Sequence, residues 1–465
     1  MSTRKSSRRE FIKLAAASTV AAGVAPTLLG ASRAEVLRAP RKPIAPSDTI
    51  RIATIGMGII GFIDTDTALR VPGTELVAAA DCYDGRLERT KEYYGAHVAT
   101  TRDYREILAR SDVDAILNCT PDHWHARISI EAMEAGKAVY CEKPMVHDLE
   151  EGPMMVEAQR RTGQVLQVGS QFASSILYEK ARELYQAGAI GQVNMVEAAT
   201  NRNSAIGAWQ YSIPPDASTD TIDWDTFLGD APRHAFDAKR FFQWRGYRDY
   251  GTGVAGDLFV HLFTGIHHAL GSHGPTSVVA TGGLRFWKDG RDMPDVTVGL
   301  FDYPETENHG PFTLTLQSNF ADGSGGGTSF RFIGDEGVIN VRGRSLTLSK
   351  SPRRRPPDEA VFKGYNSVRT FSEAQQKAFV EAYHEQYPVP DPAETSQTSE
   401  FELPPGYDDR LDHFTYFFDS IRNGTPVYED VVYGYRAAAP SLLCNMSLFN
   451  KQIYQWDPEA MTLRT

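Results

Sequence analysis

The chain has 465 residues, of which 41% are hydrophobic and 23% are charged. These proportions are ordinary for a globular protein and allow two domains with separate cores, which excludes a disordered or fibrous chain. The formal net charge is -11, although the first 34 positions hold six basic residues and one acidic residue. The rest of the chain is therefore strongly acidic and repels nucleic acids and anionic membranes. We expect a neutral or cationic small molecule as its partner.

The first segment resembles a twin-arginine export signal. Residues Ser7–Lys13 read SRREFIK and lead into an apolar stretch, Leu14–Leu29, that is interrupted by Gly23 and Pro26. This stretch is short for a membrane span of about 20 residues and is typical of a signal peptide. A small-residue cleavage site follows at residues 32–34.

We therefore expect residues 1–34 to be a signal peptide and residues 35–48 to be a linker. The signal implies that the twin-arginine export machinery is a partner and that the protein is periplasmic or secreted. We expect no integral membrane span after the signal is cleaved. The alternative is that the segment stays uncleaved and anchors the protein. The twin-arginine route carries folded proteins, so a cofactor in such a protein should be loaded before export and held tightly.

A strand followed by a glycine-rich turn begins the predicted first domain. The apolar run Ile50–Ile55 leads into GMGIIG, and a second strand, Leu76–Ala80, ends at an acid about twenty residues after the turn. Glycines allow a tight turn and close approach to a pyrophosphate, and the acid accepts hydrogen bonds from ribose hydroxyls. We predict a Rossmann domain over residues 49–170 that binds NAD, with NADP as the alternative because of a nearby arginine. The cofactor-binding residues predicted here are Gly56, Met57, Gly58, Ile59, Ile60, Gly61, Asp81 and Arg86.

The alternation of strands and helices up to residue 170 is typical of a doubly wound parallel sheet. From Gln192 the pattern changes to longer strands without intervening helices. It predicts a C-terminal α+β domain, residues 171–465, with one large, mostly antiparallel open sheet for substrate binding and oligomerisation. An open sheet face needs a cover, so we expect a homo-oligomer that forms through it. The stretch Ser351–Pro405 looks like a surface insertion.

The four cysteines are Cys82, Cys119, Cys141 and Cys444. The first three fall at the ends of predicted buried strands, so we interpret them as packed thiols rather than a disulfide framework. The sequence contains no Cys-x-x-Cys pair, and we predict no metal site.

Two polar motifs lie at the carboxyl ends of predicted strands, where α/β sheets bind their ligands. They are TPDHWH at Thr120–His125 and EKP at Glu142–Pro144. With these motifs, most of the chain from Ile50 to Phe449, except the stretch Ser351–Pro405, resembles the glucose-fructose oxidoreductase, inositol dehydrogenase and rhizopine catabolism (Gfo/Idh/MocA) family. In the second half the resemblance includes GDEG at 334–337 and RNG at 422–424.

Lys143 is the first catalytic residue that this resemblance implies. An ammonium group beside a nicotinamide can donate a hydrogen bond to a substrate hydroxyl and stabilise the oxygen as hydride leaves the carbon. The alternative interpretation is a surface lysine in a proline-containing loop.

Asp257 and His261 are four positions apart and share a face if a helix begins here. From the residues alone, a general-base histidine oriented by an acid and a buried histidine satisfied by an aspartate are equally good interpretations. The family pattern Asp-x-x-x-His implies the first, with Asp257 as orienting acid and His261 as proton acceptor. Thr264 stands where relatives often carry Asp, which leaves the substrate class open.

The motifs and the resemblance assign further binding residues. We expect His125 to be structural or to position the cofactor rather than to be catalytic. Trp124 is expected to stack on a ring or to belong to the core, and the aromatic and basic segment Phe241–Tyr250 to form a carbohydrate wall or a surface loop. The remaining predicted cofactor-binding residues are Thr120, Pro121, His125, Glu142 and Lys143. The predicted substrate-binding residues are Trp124, Arg245, Tyr250, His267 and His268.

The sequence thus predicts an exported oxidoreductase that transfers hydride between tightly bound NAD and a secondary alcohol of a sugar or cyclitol. Because the cofactor is retained, its reduced form must be oxidised again within the enzyme or by a partner. Paired oxidation and reduction of two sugars achieves this. The alternative is a redox-neutral, NAD-dependent glycosidase that oxidises C3 transiently, eliminates the aglycone and reduces the sugar again. A non-catalytic sugar-binding relative is disfavoured by the intact Lys143, Asp257 and His261.

Overall fold

The computed structural model describes residues 48–350, 361–387 and 397–464. The predicted signal peptide, the linker up to residue 47 and parts of the predicted insertion lie outside these residues. Within the described ranges, no helix has the length and apolar character needed to cross a membrane.

Six strands of the N-terminal half form a parallel sheet. The strands are β1 (Ile50–Ile55), β2 (Thr74–Ala80), β3 (Ala99–Thr101), β4 (Ala115–Asn118), β5 (Ala138–Cys141) and β6 (Leu166–Val168). Their order is β3-β2-β1-β4-β5-β6, and every pair is parallel. The order changes direction between β1 and β4, where doubly wound sheets bind their ligands. The predicted doubly wound fold is confirmed.

Helices connect these strands and cover both faces of the sheet. They are α1 (Ile59–Leu69), α2 (Asp84–Tyr94), α3 (Tyr104–Leu108), α4 (His125–Glu134) and α5 (Glu151–Thr162). The short strand β3 was not predicted, because its three residues are only half-buried and give no periodic pattern.

The C-terminal half contains a second sheet of ten strands in the order β14-β13-β12-β11-β7-β10-β9-β8-β15-β16. The strands are β7 (Val193–Asn201), β8 (Ser277–Gly283), β9 (Val296–Tyr303), β10 (Phe312–Asn319), β11 (Gly327–Gly334), β12 (Gly337–Arg342), β13 (Ser345–Lys350), β14 (Gln397–Glu402), β15 (Tyr454–Asp457) and β16 (Thr462–Leu463). Among the described strands of this second sheet, only the pair β7 and β10 is parallel, which confirms the mostly antiparallel sheet. Part of the predicted insertion, β14, is an edge strand paired with β13.

The helices of this half are α6 (Ile176–Gln186), α7 (Trp224–Leu228), α8 (Ala238–Phe242), α9 (Val260–Leu270), α10 (Glu373–Gln386), α11 (Asp409–Asn423) and α12 (Val431–Asn450). Three of them cover one face of the second sheet. Tyr178 of α6 packs edge-on against Phe330 of β11, Phe263 of α9 packs against Phe301 of β9, and α12 lies against β8. This layer belongs to the larger hydrophobic core, which continues into the N-terminal half.

The other face of the second sheet is open in the single chain. Along β10, Leu314 and Leu316 are buried, whereas Thr313 and Gln317 on the opposite face are exposed. Leu300 on β9 is 45% exposed. This is the face through which oligomerisation is predicted.

Helix α11 returns to the N-terminal domain and completes its core. Its Phe414 is fully buried and stacks on Tyr140 of β5 with a centroid distance of 4.2 Å. Arg410 at the start of α11 reaches the buried Asp64 of α1. The two halves of the chain therefore form one packed unit around the carboxyl edge of the parallel sheet.

Candidate active site

The carboxyl ends of β1, β2, β4 and β5 open into a cavity of about 1300 Å³, counted with its open mouth. The glycine turn, the acid after β2 and the motifs after β4 and β5 line one side. The opposite side is formed by residues of the C-terminal half between Arg202 and Asp257. The structure thus joins both halves of the predicted site.

The glycine turn after β1 is built for a close approach of the backbone. Gly56 has φ +91°, and a Cβ there would lie 2.6 Å from the carbonyl oxygen of Cys119. A Cβ on Gly61 would lie 2.1 Å from the carbonyl oxygen of Gly56. Gly58 caps α1 without any side-chain hydrogen bond, so the first N–H groups of the helix stay available for a phosphate.

Most of the turn lines the cavity as predicted. Gly56, Gly58, Ile59 and Ile60 face it, whereas Met57 is fully buried in the core of the N-terminal domain.

Asp81 at the end of β2 is only 7% exposed and lines the cavity. Its Oδ1 accepts a hydrogen bond of 2.9 Å from the backbone N–H of Tyr83, and Arg86 lies 3.4 Å from Oδ2. The guanidinium of Arg86 sits 5.5 and 5.2 Å from the ring centroids of Phe241 and Phe242. A carboxylate at this position fits the ribose of NAD, and together with the uncapped α1 it makes the cavity suitable for a dinucleotide.

The motif after β4 anchors the C-terminal half to the Rossmann edge. The buried Asp122 accepts hydrogen bonds of 2.9 and 2.6 Å from the N–H and hydroxyl of Thr252. Trp124 donates its indole N–H to the carbonyl oxygen of Phe227 at 2.9 Å, and His123 contacts the same oxygen. Trp124 lines the cavity but is only 8% exposed, so most of its ring belongs to the surrounding packing.

His125 ties together the two loops that carry the site. Its Nδ1 lies 2.7 Å from the carbonyl oxygen of Pro144 and its Nε2 lies 2.9 Å from that of Thr120. The ring is 1% exposed and is absent from the cavity wall, whereas Thr120 and Pro121 line it. This geometry agrees with a structural role for His125.

Lys143 and Asp257 form a nearly buried ion pair at the cavity wall. Lys143 Nζ donates to Asp257 Oδ1 at 2.8 Å and to the Asp257 carbonyl oxygen at 3.0 Å. Arg245 Nε donates to the same Oδ1 at 3.2 Å. Burial raises the pKa of Asp257, but the charges of Lys143 and Arg245 outweigh burial and hold it far below its usual value. Asp257 is therefore a carboxylate shared by two cations.

The predicted pairing of Asp257 with His261 is not what the structure shows. Among the described residues, the Asp257 carboxylate bonds only to Lys143 and Arg245, and His261 Nδ1 has no hydrogen-bond partner. The physical reason is that charged donors are stronger partners for a carboxylate than a neutral imidazole. His261 instead lies against the ring of Phe172, at a centroid distance of 5.3 Å. Burial and the charge of Lys143 lower the pKa of His261 well below its usual value.

The local backbone at Asp257 is unusual. Residues Ala255–Phe259 form a π-helical turn directly before α9. The side chain of Thr252 packs against Gly256 of this turn, where a Cβ would lie 1.9 Å from the threonine hydroxyl oxygen. Such turns are rare and recur at functional sites because they re-aim side chains. Here the turn carries Asp257 towards the cavity.

Glu142 lies over a second buried acid. Asp64 of α1 is fully buried and accepts a 2.7 Å hydrogen bond from Arg410. Burial raises the pKa values of Asp64 and Glu142. The charge of Asp64 raises the pKa of Glu142 further, whereas the hydrogen bond with Glu142 lowers the pKa of Asp64. Glu142 is therefore the member of the pair that keeps a proton more readily, and Arg410 connects Asp64 to α11.

Three predicted substrate-binding residues lie away from the cavity. Tyr250 is fully buried in an aromatic cluster, His267 contacts the hydroxyl of Tyr303 at 2.9 Å, and His268 contacts Glu179 at 2.8 Å. Both histidines follow His261 on α9, but at their positions on the helix the side chains point away from the cavity, into the helical layer that covers the second sheet. We assign all three to packing; Trp124 and Arg245 do line the cavity.

Several residues of the site escaped prediction: Arg202 and Tyr211 on the cavity wall, and Asp64 and Arg410 beneath it. Arg202 directly follows β7, and a polar residue at a strand's carboxyl end is a signal that could have found it. Asp64 also had a signal, since it is an acid on the face of α1 that carries Gly61. Tyr211 and Arg410 approach through loops and long-range packing, for which the sequence offers none.

Among the described residues, no group of three or more histidines, cysteines or acids is placed to hold a metal ion. The four cysteines are free thiols.

Two family models match the chain. Residues 50–170 match the model described as "Oxidoreductase family, NAD-binding Rossmann fold", and residues 192–281 match "Oxidoreductase family, C-terminal alpha/beta domain". Over these residues the chain matches both domains of the Gfo/Idh/MocA oxidoreductase family. The predicted resemblance and the NAD-binding character of the Rossmann domain are thereby confirmed.

A curated relative, the glycosyl hydrolase family 109 protein of Shewanella baltica (strain OS155 / ATCC BAA-1091), is 32% identical over 170 residues, which covers 33% of this chain and 37% of the relative. The match thus spans well under half of that relative.

Solved structures resemble the chain over most of its length. A levoglucosan dehydrogenase in complex with NADH and levoglucosan superposes with a TM-score of 0.62 at 17% identity, covering 88% of this chain and 99% of that one. An aldose-aldose oxidoreductase from Caulobacter crescentus gives a TM-score of 0.61 at 16% identity, with 88% and 99% coverage. At these identities the likeness concerns the fold.

We predict that Asp81→Asn lowers affinity for NAD about tenfold, which corresponds to about 1.4 kcal/mol. The amide loses the charged acceptor for the ribose hydroxyls and no longer repels a 2'-phosphate, so the preference for NAD over NADP should also fall. Fluorescence titration of cofactor-stripped protein measures both effects.

Asp112→Asn, which changes a surface acid paired with Arg110, is the matched control. Unchanged NAD affinity together with an unchanged preference in Asp81→Asn would contradict the assignment of this carboxylate.

Proposed function

We propose that this protein oxidises a secondary alcohol of a sugar or cyclitol with an NAD molecule that it retains. The observation that carries the proposal is the Lys143–Asp257 ion pair, which lies on the wall of the same cavity as the glycine turn and Asp81. A charged donor, an NAD site and room for a small polar molecule therefore coincide.

Lys143 is suited to hold the reacting hydroxyl group. An ammonium has three N–H donors, and two of them bond to Asp257. The third is free to bind the substrate oxygen and to stabilise the charge that develops on it. Asp257 fixes the ammonium in place, which makes Asp257 a positioning residue.

His261 is suited to accept the hydroxyl proton. Its lowered pKa keeps the imidazole neutral, and the half-buried ring lies one helical turn from Asp257, behind the residues that form the cavity wall. NAD, when bound, supplies the hydride acceptor for this chemistry. The carbon bearing the hydroxyl thus becomes a carbonyl while the proton leaves through the protein.

The twin-arginine motif supports export to the periplasm or beyond, with the cofactor loaded beforehand. A protein outside the cytoplasm cannot exchange its cofactor with a soluble pool, so NAD serves as a prosthetic group. The export machinery is the partner in this step. Exposed Leu300 on the open sheet face supports a homo-oligomer that forms through that face.

The second candidate function is a redox-neutral glycosidase, which the glycosyl hydrolase family 109 relative favours. In this reaction the sugar is oxidised at C3, the aglycone is eliminated with loss of the C2 proton, water adds, and C3 is reduced again. The same Lys143 and His261 serve the first and last steps. No external electron acceptor is needed.

One assay separates the two functions. Purified protein, without added nicotinamide, is incubated with aryl glycosides and with free sugars in deuterated solvent. The oxidoreductase reduces its bound NAD with a free sugar, releases no aryl group and shows absorbance at 340 nm. Repeated aryl release with deuterium entering C2 would contradict the oxidoreductase and support the glycosidase.

We predict that Lys143→Met lowers the rate of either reaction at least about a hundredfold, because the donor to the reacting oxygen is removed. Cofactor content, measured by absorbance after denaturation, should remain close to that of the wild type. Lys288→Met, a substitution outside the cavity wall, is the control. An active Lys143→Met protein with full cofactor content would refute the assigned role.

We predict that the acid limb of the pH profile of kcat/KM lies below the ordinary histidine pKa of about 6.5. His261 must be neutral to accept a proton, and its pKa is lowered by burial and by Lys143. As the pH falls, the imidazole becomes protonated only after the lowered pKa is reached. An acid limb centred at or above 6.5, measured in the wild-type holoenzyme, would contradict His261 as the acceptor.

A further inference from the structure

We propose that the substrate carries an oxyanion substituent, a carboxylate or a sulfate ester, which Arg202 and Arg245 bind. This inference rests on the proposed function, since it names the class of carbohydrate that the cavity accepts. It also differs from the expectation drawn from the acidic composition of the whole chain, which favours a neutral or cationic partner.

The local charge of the cavity has the opposite sign to that of the chain. Its wall near the ion pair carries three cations, Lys143, Arg202 and Arg245, and the carboxylate of Asp257. The other acid on this side is Glu142, whose pKa is raised by burial and by Asp64 towards the neutral form. An excess of positive charge therefore faces the space beside Lys143.

At the Asp81 end of the same cavity, each arginine is paired with a separate carboxylate. Arg86 is paired with Asp81, and Arg102 is paired with Asp84. Each of these cations has a carboxylate of its own. Arg245 has to share Asp257 with Lys143, which leaves this end short of negative charge.

Arg245 is held rigidly and presents unused donors. Its Nε bonds to Asp257, and its guanidinium stacks 4.2 Å from the ring centroid of Trp244. Within the described parts of the chain, its two terminal nitrogens have no hydrogen-bond partner. The side chain is 22% exposed and lines the cavity, so these donors are accessible to a ligand there.

Arg202 is held in a similar way on the facing segment after β7. One terminal nitrogen donates to the carbonyl oxygen of Gly207 at 2.9 Å, and the guanidinium lies 5.5 Å from the ring centroid of Phe320. No carboxylate pairs with it among the residues that the structure describes. Arg202 also lines the cavity.

Two fixed, half-buried guanidinium groups carry a desolvation cost when too little negative charge lies near them. A ligand that brings negative charge offsets this cost. A neutral sugar hydroxyl can accept a hydrogen bond but leaves the charge uncompensated. A planar or tetrahedral oxyanion accepts several charge-assisted bonds at once, and arginine is the side chain best shaped to give them. The cofactor pyrophosphate has its own site at the uncapped start of α1. The geometry therefore points to an anionic substrate group.

The test measures binding to the NAD-loaded protein by isothermal titration calorimetry. The probes are methyl glycosides of glucose, galactose and mannose, each compared with its uronate and with its 6-sulfate. We expect at least one charged probe to bind ten or more times more tightly than its neutral partner, with a preference that falls as salt rises. Preference for uronates identifies a carboxylate, and preference for 6-sulfates identifies a sulfate ester.

Arg202→Gln should reduce this preference below threefold, whereas Arg202→Lys should retain part of it because the charge remains. Neutral probes should bind both variants within threefold of the wild type, and the cofactor content should not change. Arg331→Gln, on the open face of the second sheet and paired with Glu197, is the matched control and should keep the full preference.

Equal binding of charged and neutral probes throughout the panel would overturn the inference, as would loss of NAD rather than of anion preference in Arg202→Gln. Absorbance at 340 nm in the same samples distinguishes this from failure of the proposed function. Reduction of NAD by neutral sugars without anion preference refutes only the inference. Anion preference without any reduction or aryl release refutes only the proposed function.

Discussion

The ion pair between Lys143 and Asp257 is the interaction on which the site depends. It joins the loop after β5 of the parallel sheet to the π-helical turn before α9 of the C-terminal half. The lysine and aspartate side chains are 12% and 7% exposed, so removing either partner leaves a poorly solvated charge. Such losses cost about 3–5 kcal/mol in buried pairs. The same contact therefore fixes the position of one half relative to the other and directs the ammonium group towards the cavity.

The rest of the carboxyl edge supports this contact. Asp122 and Trp124 fasten the C-terminal half to the loop after β4, while His125 connects that loop to the one carrying Lys143. Beneath it, Arg410 links α11 to the buried acid of α1. The NAD site and the Lys143–Asp257 pair are thus built on elements that contact one another directly, as the proposed positioning of a substrate requires.

The sequence was sufficient for features that depend on local patterns. The glycine turn, Asp81 and the parallel sheet follow from strand, turn and helix signals within a short stretch of chain. Lys143 came from a family motif, and the structure places it on the cavity wall. Contacts between distant segments were harder to predict. Asp257 was expected to orient His261, its neighbour on the helix. In the structure its carboxylate bonds instead to Lys143, which lies more than a hundred residues away in sequence and is the stronger hydrogen-bond donor. Nothing local to Asp257 reveals that competition.

The most direct test of the account is the single-turnover rate at which the NAD-loaded protein reduces its cofactor, followed by stopped flow at 340 nm in Asp257→Asn. The sugar is the one that reduces the wild-type protein fastest. We predict a rate at least about a hundredfold lower, with unchanged cofactor content, because the ammonium loses the carboxylate that fixes it. A rate within twofold of the wild type would show that the ion pair does not position Lys143 for the reaction.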